Sequence, residues 1–204
     1  MSRISSTLRH STYVLVVASV VAALTSCSVS VSSPPTSTEA DRVAQTFAKM
    51  SVDVAHKDGF TSVWSTPKLA GRTSLPDGQK VSLWVAGDVS KGVPTRGYYL
   101  DFIRNKPKGT SGMSSWGQET QKVSLESGMP PIVVGDVGSW PAKTVRVFVG
   151  GSSVDLRVIE DFFLVPGDRT ADISKRFTIT LLDATGTPLG TVSDLLASGS
   201  GTPH

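Results

Sequence analysis

The chain has 204 residues, a formal net charge of +3, 18% charged and 39% hydrophobic residues, with 19 Gly, 12 Pro, 3 His and 1 Cys. It is too apolar and too weakly charged to be disordered throughout, and a single Cys excludes an internal disulfide, a thiolate zinc site and an iron–sulfur cluster. The length suits one ordinary domain or two small ones.

In chain order, the first feature is a processing segment. Arg3, Arg9 and His10 precede the 12-residue apolar run 13–24, YVLVVASVVAAL. A membrane span needs roughly 20 apolar residues, whereas a run of about 10–14 fits the apolar region of a secretion signal. The run ends in Leu24-Thr25-Ser26-Cys27. Leu, two small residues and Cys after such a run resemble the lipobox of bacterial lipoproteins. The resemblance implies a signal peptide over 1–26, with Leu24, Thr25 and Ser26 as the signal-peptidase recognition residues. It also implies a covalent diacylglycerol, palmitate-type anchor on the Cys27 thiol, with the membrane lipid as partner and no further cofactor. Only a nucleophilic sulfur can form that thioether. The implied location is extracytoplasmic, on the outer face of the cytoplasmic membrane, or on the outer membrane in a cell with two membranes, since Ser28 rather than Asp follows the Cys.

Losing residues 1–26 removes Arg3 and Arg9 and no acidic residue, which lowers the net charge from +3 to +1. Arg104, Lys106 and Lys108 are then the densest basic group, far short of the stripe that nucleic acid requires. Residues 27–37 combine the anchor with a Ser/Pro tether, SVSVSSPPTS, which extends to at most about 35 Å.

Residues 38–50 carry Ala40, Val43, Ala44, Phe47 and Met50 at helical spacing, which predicts a helix capped by Ser37 or Thr38. The rest reads as strands over 60–64, 69–75, 80–86, 96–103, 120–126, 132–136, 144–149, 154–159, 162–165, 176–182 and 189–193. Pro76-Asp77-Gly78 and Gly150-Gly151 serve as turns, and 105–119 as a long polar loop. The expected fold is mainly β, an antiparallel sandwich or open barrel with one N-terminal helix. Met129-Pro130-Pro131 is the best internal break. It suggests a helix-plus-β subdomain over 38–128, a sandwich-like module over 129–196 and a disordered tail over 197–204, with one continuous β domain across both halves as the alternative. VVGDV, EDFFLVP and FTITLLDATGTPLGTV, within 131–193, resemble the short β-modules of secreted actinobacterial proteins. That resemblance implies a fold and no activity.

Motifs for catalysis are weak. Ser65-Thr66-Pro67-Lys68 has the S-x-x-K spacing of penicillin-recognising enzymes, but Pro67 interrupts it and no K-T-G follows. A Ser–His–acid set would rest on His56, which reads as a solvated helix-end residue. Glu160-Asp161 is the only acidic pair, and neighbours on a strand face opposite ways. Asp155 with Arg157 reads as a same-face surface pair, while Asp183 and Asp194 read as turn residues. No metal ligands are assigned. Trp84, Tyr99, Trp116 and Trp140 fall off the expected inward faces or in loops, and form the candidate binding surface, with Trp116 foremost. The expectation is a membrane-anchored, non-catalytic binding or interaction module of the cell envelope, partnered by an envelope protein or ligand. Two alternatives stand beside it. One is a carrier or sensor of a small or lipidic ligand. The other is a hydrolase whose site would gather Asp155, Glu160 or Asp183 with His56.

Overall fold

The computed structural model describes residues 34–58, 63–88, 95–103, 121–128, 132–170, 172 and 174–204. A 22-residue helix, α1 (Ser37–Asp58), precedes β1 (Lys68–Ser74), β2 (Lys80–Asp88), β3 (Thr95–Ile103), β4 (Val123–Gly128) and β5 (Ile132–Asp136). There follow β6 (Thr144–Val149), β7 (Ser152–Arg157), β8 (Phe162–Val165), the short α2 (Gly167–Thr170), β9 (Phe177–Leu182), β10 (Pro188–Leu195) and β11 (Ser200–Gly201). The fold is mainly β, and its strands form three antiparallel sheets in the orders β1-β2-β3, β11-β4-β5-β8 and β10-β9-β6-β7.

Side-chain alternation stacks these sheets. On β3, Tyr98, Leu100 and Phe102 join Val81, Leu83 and Val85 of β2 in a core shared with Ile132, Val134, Phe162 and Leu164 of the middle sheet. Val133, Phe163, Val165, Val123 and Leu125 project from the other side of the middle sheet. They meet Val145, Val147, Leu156, Phe177, Ile179 and Leu181 of the third sheet. The outer face of the first sheet carries Trp84, Ala86 and Tyr99, and α1 covers it with Val43 and Phe47. The order of layers is helix, sheet, sheet, sheet. β5 and β8 are buried at every residue, as continuous apolar strands must be when both faces are covered.

Thr36 caps α1, not Ser37 or Thr38: its Oγ1 accepts the Glu39 N–H at 3.2 Å. The stripe read from the sequence is narrower in fact, because Val43 and Phe47 are buried, Ala40 is half-buried and Ala44 is exposed. Two ion pairs tie the helix down. Arg42 grips the fully buried Asp101 of β3 with both guanidinium nitrogens, and Arg72 of β1 reaches Glu39 at 2.7 Å.

Two expectations about organisation are corrected. β4 and β5, assigned to different units, pair along Ser124↔Asp136 to Gly128↔Ile132 in one sheet, so the 38–128 and 129–196 division does not follow the sheets. Residues 129–131 themselves lie outside the described residues. The tail 197–204 is built into the fold: β11 pairs with β4, Leu125 N–H donates to the Gly199 carbonyl at 2.8 Å, and His204 and Thr191 exchange both backbone bonds at 3.1 Å. The short, Gly-rich sequence SGSGTPH hides this, because its order comes from backbone pairing to two sheets and not from apolar side chains. The expected 60–64 strand and the 105–119 loop fall wholly or mostly outside the described residues.

Gly135 makes room for Phe163 on the neighbouring strand of the middle sheet. It sits directly across from Phe163, and a Cβ there would lie 1.9 Å from the ring. The aromatic ring occupies the space that glycine leaves. Gly135→Ala is therefore expected to destabilise the fold by at least about 2 kcal/mol through overpacking, read as a lowered denaturant midpoint. An unchanged midpoint would contradict this packing.

Candidate functional site

Among the described residues, the aromatics expected at a surface are drawn into the cores. Trp84 and Tyr99 are buried at 1% and 5% exposure beneath α1, on a face that alternation alone had assigned to solvent. Trp140 is half-buried against the lower core, and its indole N–H donates to the Gln121 carbonyl at 3.0 Å. Trp116, Cys27, Leu24, Thr25 and Ser26 lie outside the described residues.

The weighed catalytic residues are each occupied locally. Ser65 is bonded to Gly87 through both its backbone N–H and its Oγ, while Lys68, on a strand and not a helical turn away, pairs with Glu160. Asp155 is held by Arg146 across the β6–β7 pair at 2.7 and 2.9 Å, not by Arg157. That guanidinium keeps the Asp155 carboxyl below the usual range. Asp183 caps its own turn: Oδ1 accepts the N–H groups of Thr185 and Thr187, and the Thr185 hydroxyl is the main cause of its lowered pKa. Asp194 takes a left-handed φ of 60° and its carbonyl accepts from Arg176. The side chain of His56 lies outside the described residues.

What the structure does bring together went unread in the sequence. Residues of even number on β3, β4 and β5 face the seam between the first two sheets, and at one end they are polar. Arg96 is buried there, paired with Asp161, and donates to the Gly138 carbonyl at 3.4 Å. The buried Asp136 accepts the Gly138 N–H at 2.7 Å. The Tyr98 hydroxyl donates to Glu126 at 2.6 Å. Glu160 and Asp161 are non-glycine residues in the left-handed region, with φ of 46° and 68°. They form the tight turn between Ile159 and Phe162, whose backbone groups bond each other at 2.9 Å. In this turn the two adjacent acids are not on opposite faces of a strand. Glu160 reaches Lys68 on β1 and Asp161 reaches Arg96 on β3, so one strained turn clasps both edge strands of the neighbouring sheet.

Electrostatics follow from burial. Desolvation raises the pKa of Asp136 above its ordinary value; the Gly138 N–H and Arg96 oppose this, and Glu126 adds to it. Desolvation, then the bond to Glu126, pushes the Tyr98 phenol up. The chemistry that this set performs is adhesion between sheets, with one carboxyl whose pKa burial raises. Among the described residues, no group of three or more His, Cys, Asp or Glu could hold a metal ion, and no helix is long and apolar enough to cross a membrane. No family model, curated protein or solved structure matches the chain.

Two outcomes test this assignment. Trp84→Ala should cost about 3–5 kcal/mol of unfolding free energy, as for a buried aromatic; a neutral effect would return Trp84 to the surface. Asp136→Asn should raise the melting temperature at neutral pH. The proton on Asp136 contributes stability that is full below the unfolded pKa of about 4 and is lost as pH rises through the raised folded value. The gain from Asn should therefore shrink to nothing as pH falls through that window in thermal melts.

Proposed function

We propose that the protein is a lipid-anchored, extracytoplasmic lipoprotein whose β domain serves as a non-catalytic binding or interaction module in the cell envelope. The observation that carries the reading is Cys27 placed directly after Leu24-Thr25-Ser26 and the apolar run 13–24. One acyl chain binds a bilayer only marginally, so the two chains of a diacylglycerol are what make the anchor stable. The start of α1 at Ser37 supports the same reading. Ten residues after the anchor extend to at most about 35 Å, which holds the stacked sheets close to the bilayer and within reach of other envelope components. Trp116 remains the leading contact residue from the sequence.

Cys27→Ser tests the anchor. The variant is expected to leave the membrane fraction or to retain residues 1–26, and to lose incorporation of labelled palmitate. A variant with the same fractionation and the same mass as the parent chain would refute it.

A further inference from the structure

β7 is an edge strand, and its free side has a defined hydrogen-bond phase. It follows β6 through the Gly150-Gly151 turn, both glycines at positive φ. The pair that closes a two-residue hairpin, Val149 with Ser152, is hydrogen-bonded. Bonded and non-bonded pairs alternate from there, and the Val158 N–H donating to the Lys143 carbonyl at 3.0 Å has the same phase at the far end. The N–H and C=O groups of Ser153, Asp155 and Arg157 therefore point away from β6. Among the described residues, no backbone group takes them up.

Other edges are handled differently. β10 has register shifts and is covered by His204 at Thr191, β1 has a shift between Leu69 and Gly71, β11 is two residues long, β8 is buried at every residue, and β3, although as regular as β7, is buried from Arg96 to Phe102. β7 runs six residues in regular register, with no proline and no bulge, which is the form that recruits another strand. Its outward side chains Ser153, Asp155 and Arg157 are exposed, while Val154 and Leu156 point into the core.

We propose that β7 pairs antiparallel with β7 of a second copy of this chain, joining two four-stranded sheets into one. Charge sets the register. Opposing Asp155 to Asp155, or Arg157 to Arg157, places like charges face to face. Opposing Asp155 to Arg157 places an acid against a base twice, once on each side of the two-fold axis, and it uses the outward backbone groups of both residues. The axis then passes through Leu156, which meets its own copy on the core side. Arg146, already bonded to Asp155, flanks each acid with a second cation. The pairing is isologous and closes as a dimer. It does not depend on the Cys27 anchor.

Sedimentation of the full chain in detergent, from micromolar to millimolar concentration, tests the contact. The parent chain is expected to dimerise with rising concentration. Arg157→Asp should weaken association at least tenfold, and Asp155→Arg combined with Arg157→Asp should restore it. Asp155→Pro removes the outward N–H and the carboxylate that Arg146 holds but no bond of the β6–β7 ladder, so it should abolish the dimer and keep the parent circular-dichroism spectrum. A parent chain that stays monomeric throughout overturns the proposal. So does association that Arg157→Asp leaves unchanged, which would place the contact on another surface. If Asp155→Pro fails to fold, the charge reversal and its rescue decide alone.

Discussion

The middle sheet has no side facing water, and the rest of the fold follows from that constraint. Phe162 and Phe163 are neighbours on β8, yet Phe162 packs edge-on against Tyr98 at 5.6 Å in the upper core while Phe163 lies in the lower one. Strand geometry sends successive side chains to opposite faces, so two adjacent large side chains demand two cores. The first and third sheets exist to supply them. Gly135 is the concession that lets Phe163 lie flat against its partner strand.

Covering the middle sheet moves the exposure problem outward to its neighbours. The first sheet, apolar on both faces, needs α1 over Trp84 and Tyr99, and the helix brings Arg42 to the buried Asp101 on that face. A buried carboxylate without its cation would be costly, so Asp101 specifies which helix face docks as well as where. The third sheet is apolar inward and polar outward: β6 alternates Val145, Val147 and Val149 with Thr144, Arg146 and the partly exposed Phe148. Each seam also has polar stitches at its rim. Arg96, Lys68 and Tyr98 meet Asp161, Glu160 and Glu126 between the first two sheets, and the backbone of 199–204 spans the second and third.

Much of this architecture was legible in the residues. β5, β6 and β8 fall at the expected positions, because their apolar runs and alternation are unbroken by special turns. The doubly buried middle sheet could also have been read from IVVGD and FFLV, which have no polar alternation at all. What misled was the habit of granting every strand a wet side. On β2 and β3, Ser82, Trp84, Tyr99 and Asp101 look like an outer face, and only the presence of Arg42 on an amphipathic helix hints that it is covered. The seam cluster of Arg96, Asp136 and Asp161 was not legible, because its members come from two strands and a turn whose φ values no local signal announces. The proposed anchor rests on a local motif, and a local motif is the kind of signal that sequence carries without a fold.

The layer order also sets a gradient of opening. β5 is paired on both sides, to β4 and β8, and its amides lie under two cores, so they exchange with solvent only when the whole stack comes apart. Among its described side chains, α1 is held by Val43, Phe47 and two ion pairs, and among the described residues no backbone hydrogen bond joins it to a sheet. Slow-exchanging amides should therefore mark the centre of the stack, and the fast ones the helix that covers the first sheet.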